Sequence, residues 1–419
     1  MRWLLLAADP ATLEHSVTLD DVHRAVAAGT GVIRETPVVS SRTLSERTGM
    51  TVVLKAENLQ RTGSFKLRGA LAKIASLTDA QCAHGVVAGS AGNHAQAVAY
   101  AARARGVPCE VFMPVGAAIA KAEAATALGA HVRLVGATVD DTLAAAHERA
   151  ASGGLVFVHP FDDPEVIAGQ GGLGLELAAQ VPDLARVLVP LGGGGLLSGI
   201  AVALAQVRPD VEVIGVQVET CAPFPASVAA GEPVAVDSAL TIADGIAVKR
   251  PGTLTLALIR RWVDRVVTVA EDEVAEAMVF LLERTKLVVE GAGAVGVAAL
   301  LSGRLDAPAS GTTAVVLSGG NVDPGLLAQI ARRHESQSGR RSVLLARVPD
   351  RPGSLALLLA LVGQQGANLL DVEHLREGFD LHVRESAVQL VLETRGPEHA
   401  ALVARAVREA GYGEPLAVR

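Results

Sequence analysis

From about residue 85 to residue 335, short β-branched runs alternate with alanine-rich segments of helical period. GVVAG (85–89), CEVFM (109–113), HVRLV (131–135), LVFVH (155–159), RVLVPL (186–191), EVIGVQV (212–218), RVVTV (265–269) and TTAVVLS (312–318) read as strands. Helix-period segments such as AIAKAEAATALG (118–129) and EDEVAEAMVFLLERTK (271–286) lie between several of them. Such alternation predicts right-handed crossovers and parallel sheets. The strands are too many for one sheet of modest width, so the pattern predicts two α/β lobes with a cleft between them.

RRHESQSGRR (332–341) breaks this rhythm and reads as a polar linker, with residues 336–341 as the stretch between the domains. Beyond it the order changes to strand SVLLARV (342–348), helix GSLALLLALVGQQG (353–366), strand ANLLDVEHL (367–375), strand SAVQLVLET (386–394) and helix PEHAALVARAVREAG (397–411). That is a ferredoxin-like βαββα module over 342–419, with a further short strand expected in EPLAV.

Composition narrows the class. Half of the 419 residues are hydrophobic, 3% are aromatic and 43 are glycine, which suits buried parallel strands covered by helices. A net charge of −7 without a basic block argues against nucleic acid. Cys82, Cys109 and Cys221 are odd in number and far apart, so free thiols in a reducing cytoplasm are expected, not disulfides or a cysteine metal site. The apolar run in MRWLLLAADPA falls short of the roughly 7–15 residues of a signal-peptide core, and reads as a short tail. No run approaches the ~20 apolar residues of a membrane helix.

Four stretches can carry chemistry. LGGGGLLSGIAVAL (191–204) follows a strand and opens a helix near Leu196. Its glycines let backbone N–H groups converge on an anion at the helix start. A tight strand–helix turn is the alternative. A P-loop lacks its lysine here, and Leu197 stands where the third glycine of a dinucleotide fingerprint belongs. AGSAGNHAQAVAYAARARG (88–106) is again strand, turn and helix. Its Ser90, Ala91, Gly92, Asn93 and His94 can hold a carboxylate through N–H groups, or Asn93 can merely cap the helix. VVLSGGN (315–321) puts Ser318 at a strand end, where α/β ligands bind. TGSFKLRGA (62–70) holds Lys66, a surface charge on spacing alone, and a nucleophile if its basicity is lowered. A lysine, an anion cradle, a carboxylate turn and a strand-end hydroxyl together match an amino acid held on pyridoxal phosphate.

In order and approximate spacing, ENLQRTGSFKLRGA, SAGNHAQAVA, GGGGLLSG, LTIADGIAVKRPG and LSGGN resemble the threonine ammonia-lyase (threonine dehydratase) family of fold-type II pyridoxal-phosphate enzymes. The tail, with VPDRPGSLALLLALVGQQGANLLDVEH, resembles an ACT domain. The resemblance implies a large cofactor lobe from residues 1–78 and 165–335 and a small lobe from 79–164. It implies that Lys66 links to the cofactor and that Phe65 lies against the ring. Asn93 meets the ring hydroxyl, Gly192, Gly193, Gly194, Gly195 and Leu196 hold the phosphate, Gly245 lies near the ring, and Ser318 meets the pyridine nitrogen. The turn Ser90–His94 takes the substrate carboxylate.

The implied reaction is β-elimination of L-threonine, and of L-serine, with Lys66 as base. A neutral Ser318 hydroxyl leaves the ring a weak electron sink, which suits elimination. Serine racemases are similar but carry a serine at the position of Ala91, so a lyase is favoured over an isomerase. Their divalent-cation site pairs a glutamate, matched by Glu219, with a later aspartate; none follows within the next several residues here, so no metal is expected. The ACT resemblance implies isoleucine feedback with valine as counter-effector, in a region including Asp350, Gly353, Asn368 and Leu369, and a homodimer or homotetramer. A hydroxyaspartate dehydratase, a non-catalytic amino-acid sensor and an NAD enzyme are the competing readings.

Overall fold

Runs of valine and leucine ending in glycine or serine form most of the strands. The computed structural model describes residues 17–237, 239–376 and 381–413. The chain divides into two compact units at Val322/Asp323. In the first unit the strands are β1 (Val38–Ser40), β2 (Thr51–Ala56), β3 (Val86–Gly89), β4 (Cys109–Met113), β5 (His131–Leu134), β6 (Val156–Phe157), β7 (Leu184–Pro190), β8 (Glu212–Val218), β9 (Arg265–Val269) and β10 (Thr312–Leu317). Helices of the expected period separate most of them. Strands β1 and β2 are additional to those the hydrophobic pattern marked.

Two sheets result. The larger has the order β1-β2-β10-β7-β8-β9, parallel except for the antiparallel edge strand β1. The smaller, β5-β4-β3-β6, is wholly parallel and comes entirely from residues 86–157. Strand β10 is buried at all six positions, as a central strand covered on both faces must be. Side chains such as Val189, Ile200 and Val316 fill the core of the larger sheet, and Val98, Val111 and Met113 that of the smaller.

Glycines set how closely the helices behind the site approach. A Cβ on Gly69, in the helix Lys66–Ala75, would meet the Val166 carbonyl at 2.7 Å, and one on Gly169 would meet the Arg68 carbonyl at 2.6 Å. The helix Pro164–Gln180 crosses Gly195–Val207 in the same way, since a Cβ on Gly199 would lie 2.4 Å from the Ile167 carbonyl. Below these helices Arg68 pairs with Glu57 at 2.8 Å and with Glu176 at 2.6 Å, while Lys55 pairs with Glu176 at 2.6 Å. Glu57 and Lys55 are fully buried, so each charge depends on its partner.

The second unit opens with the helix Pro324–Gln337, capped by Asp323, whose carboxylate accepts from the N–H groups of Gly325 and Leu326. This corrects the linker expectation for 332–341. The polar run extends a mostly solvated helix with Ile330 buried, the helix ends at Gln337, and the next strand starts at Arg341. Strands β11 (Arg341–Pro349), β12 (Asn368–Leu375) and β13 (Glu385–Glu393) form an antiparallel sheet of order β11-β13-β12. The helices Ser354–Gln364 and Pro397–Glu409 complete a βαββα order. Leu344, Ala346, Leu358, Val362, Leu390 and Val403 form part of its core. The strand expected in EPLAV, and the tail 1–15, lie outside the described residues.

Candidate functional site

Strand β2 ends beside β10, with Ala56 opposite Leu317, and the two chains leave the sheet together. The next residues stay joined. Phe65 donates its N–H to the Ser318 carbonyl at 3.0 Å, Gly320 donates to the Gly63 carbonyl at 2.9 Å, and Ser64 bridges Gly319. Gly63 has φ +71°, and a Cβ there would strike the Asn321 side chain. The TGSFK and LSGGN stretches, far apart in sequence, are thus one piece of backbone structure.

Lys66 is the first residue of its helix and is partly buried. Its Nζ donates to the Pro160 carbonyl at 2.8 Å and lies 5.1 Å from the Phe65 ring centroid. Burial pushes its amine down to about 8, against the opposing pull of the Glu290 carboxylate. A lysine so placed holds a far larger share of neutral amine near physiological pH than an exposed one, which is what a nucleophile or base needs.

Pro160 belongs to a segment that ties the lysine to the glycine loop. A Cβ on Gly193 would lie 2.3 Å from the Phe161 ring, and one on Gly195 would lie 2.9 Å from the Phe161 carbonyl. Gly194 has φ +100° and starts the helix Gly195–Val207 without a side-chain cap. Gly193, Gly194, Gly195 and Leu196 are buried. Buried N–H groups at an uncapped helix start form a cradle for an anion. Asp162 accepts from the N–H groups of Thr253 and Thr255, and Thr255 donates its hydroxyl to the Gly193 carbonyl at 2.7 Å, fixing the loop from its other side. Sequence reasoning missed this HPFDD segment (159–163), although its dense polar residues directly after a strand were a signal.

The carboxylate turn follows β3, and the helix Asn93–Arg105 also starts without a side-chain cap. The structure narrows the expectation that the whole turn offers N–H groups. Ser90 N–H is taken by the Phe112 carbonyl at 2.9 Å, and Gly92 N–H by the Ser90 hydroxyl at 3.2 Å. The backbone of Ala91, Asn93 and His94 remains for a ligand. The His94 ring is buried, donates from Nε2 to the Val158 carbonyl at 2.8 Å, and is pushed down to about 3 by burial and by the Lys66 charge. That side chain is a structural group, not an acid or base.

Glu290 is the main residue that motif reading missed. It is 7% exposed, and its Oε1 accepts from Asn93 Nδ2 at 2.7 Å. Burial, with the charge of Asp244, pushes its carboxyl up to about 7. A Cβ on Gly245 would lie 3.7 Å from Oε1, so the ADGIAV segment reaches the same point as Asn93 and Gly319. A carboxylate opening the helix segment GAGAV carries no spacing signal of its own.

These residues fit pyridoxal phosphate. The cradle suits a phosphate, the weakly basic lysine an aldehyde, and Ser318 an unprotonated ring nitrogen. Ser64 Oγ, fully buried and without a partner among the described residues, is a further polar atom at this point. Residues 29–319 match the family model described as pyridoxal-phosphate dependent enzyme. The chain belongs to the pyridoxal-phosphate-dependent enzyme family. The match ends close to the unit boundary at Val322.

Within this family the chain is similar to an L-threonine ammonia-lyase of Thermotoga maritima, with 45% identity over 396 residues, 94% of this chain and 98% of the relative. It is also similar to the catabolic L-threonine dehydratase TdcB of Escherichia coli strain K12, with 45% identity over 320 residues, 76% of this chain and 97% of the relative. Among solved structures it is similar to maize serine racemase, with TM-score 0.72 and 34% identity, covering 77% of this chain and 99% of that one.

The other expected positions lie elsewhere. Glu219 shares Arg304 with Glu273, at 3.3 Å and 2.9 Å. Among the described residues no group of three or more His, Cys, Asp or Glu is placed to hold a metal, and no helix is long and apolar enough to cross a membrane. Cys82, Cys109 and Cys221 are free thiols. Asp350 and Gly353 follow β11 at Pro349, which pairs with Glu385, whereas Asn368 pairs with Glu393. Asp350 and Gly353 therefore sit at one end of the sheet, Asn368 and Leu369 at the other. One chain does not bring the four together.

Proposed function

We propose that this enzyme is a threonine ammonia-lyase, turning L-threonine into 2-oxobutanoate and ammonia and L-serine into pyruvate and ammonia. The observation that carries the reading is Lys66, whose amine is weakly basic and whose backbone is stitched to the Ser318 segment. Likeness to relatives named for threonine supports the substrate. Bound pyridoxal phosphate supplies an aldehyde for the substrate amine and a ring that draws electrons from Cα.

The chain's own residues do the rest. The loop Gly192–Leu196 holds the phosphate through N–H groups, and Phe65 and Gly245 flank the ring. Ser318 meets the ring nitrogen as a neutral hydroxyl and leaves it unprotonated. The N–H groups of Ala91, Asn93 and His94 hold the substrate carboxylate. Lys66 Nζ takes the Cα proton. The β-hydroxyl leaves with a proton as water, and the enamine so formed takes up water to give the 2-oxo acid and ammonia. Ala91 offers no second base, which separates this site from a racemase despite the likeness to one.

The βαββα unit is read as an ACT domain that places the enzyme under isoleucine feedback with valine opposing, in isoleucine biosynthesis in the cytoplasm. Because Asp350 and Asn368 lie at opposite sheet ends, a shared effector site needs two copies, which favours a homodimer or homotetramer. The test is product analysis: L-threonine should yield 2-oxobutanoate and ammonia, and L-serine should yield no D-serine. D-serine as the main product would replace the lyase with an isomerase.

A further inference from the structure

The side-chain amide of Asn93 has two possible flips, and the structure contains a chain of contacts that selects one. Its anchor is the Thr62 carbonyl, which can only accept. Asn321 Nδ2 donates to it at 2.9 Å and, with its second hydrogen, to Asn93 Oδ1 at 2.7 Å. The oxygen of Asn93 therefore faces Asn321. Its nitrogen faces Glu290, where one N–H reaches Oε1 at 2.7 Å. An amide nitrogen carries two hydrogens and no acceptor lone pair. One N–H of Asn93 remains uncommitted by these contacts, beside Gly319: a Cβ on Gly319 would lie 3.1 Å from Asn93 Nδ2 and 2.2 Å from Glu290 Oε1.

We propose that Glu290 and Asn321 are positioning residues that fix the Asn93 amide so that it meets the ring oxygen of pyridoxal phosphate as an N–H donor. The inference rests on the cofactor role of Asn93 proposed above. A donor favours the anionic form of that oxygen. With the opposite flip, Asn93 would present a carbonyl and demand a protonated hydroxyl. Glu290 thus acts through Asn93, and its oxygen can accept whether the carboxyl is charged or neutral, since a proton can sit on Oε2.

The test compares the affinity of the full-length apoprotein for pyridoxal phosphate and for its 3-deoxy analogue, which lacks the ring hydroxyl. Glu290→Ala should weaken pyridoxal phosphate by about tenfold, the scale of one charge-assisted hydrogen bond, and leave the analogue nearly unchanged. Glu290→Gln, which keeps an acceptor oxygen, should stay close to wild type for both. Equal losses for the two compounds, or none for either, would overturn the inference. Should Glu290→Ala not fold, Asn321→Ala is held to the same differential. A wild-type protein that bound neither compound would instead remove the proposed cofactor roles beneath it.

Discussion

At the scale of single residues, burial sets the chemistry more than sequence neighbours do. Lys66 and His94 illustrate this with opposite outcomes. Both lose basicity by burial, yet Lys66 faces the site and His94 spends its Nε2–H on Val158. His94 makes a pH prediction. Its folded value, about 3, is below its ordinary 6.5, so between these values the unfolded chain binds more protons. Stability is fully present above pH 6.5 and is lost as pH falls towards 3. Denaturant midpoints measured at pH 7 and pH 5 should differ less in His94→Gln than in wild type. An unchanged difference would show that His94 is not among the groups that titrate. The capping alternative for Asn93 was legible from its helix-start position, but the structure gives its side chain to Glu290 and Asn321. No spacing rule connects residue 93 to residue 290.

Elements obeyed their hydrophobic pattern wherever the pattern was strong. Strands β3, β4, β7, β8 and β10 lie within a residue or two of the runs that predicted them. The failures have physical causes. The helix Pro324–Gln337 is largely solvated, so charge inside it read as a linker. The helix read as 271–286 ends as a regular helix at Phe280 and continues as a π-turn to Thr285, before Lys286 adopts φ 61°. The helix Lys66–Ala75 is secured by charges that sequence shows only as scattered letters. Removing Arg68, 4% exposed, strands the fully buried Glu57 carboxylate. Arg68→Ala should therefore destabilise the first unit by about 3–5 kcal/mol in denaturant unfolding, and lower cofactor affinity by loosening the helix that carries Lys66. A loss below about 1 kcal/mol, the range of exposed pairs, would contradict a buried network.

For the molecule as a whole, the family match covers residues 29–319 and the first unit ends at Val322. The first unit also holds each residue assigned to cofactor and substrate. A chain ending at Val322 should retain threonine turnover within about threefold, a change of less than 1 kcal/mol, and lose any response to isoleucine. A full-length enzyme indifferent to isoleucine, valine and other branched amino acids would leave the second unit a purely structural role. The two-sheet architecture was legible because parallel strands and helices impose different periods. The glycine loop of the candidate site was legible because a backbone anion cradle demands glycine. The segment at Pro160 and Phe161 was not, because its contribution is a carbonyl and a packing face, which many residues supply.

The account stands on Lys66. Its most direct test is turnover of L-threonine by purified protein reconstituted with pyridoxal phosphate, beside Lys66→Ala treated alike. Wild type should absorb visible light as a lysine-linked cofactor and release 2-oxobutanoate and ammonia in equal amounts. The variant should lose the linked-cofactor absorption and at least about a thousandfold in rate, a barrier increase near 4 kcal/mol. A variant that kept threonine turnover, or a wild type that stayed colourless and inert after reconstitution, would contradict it.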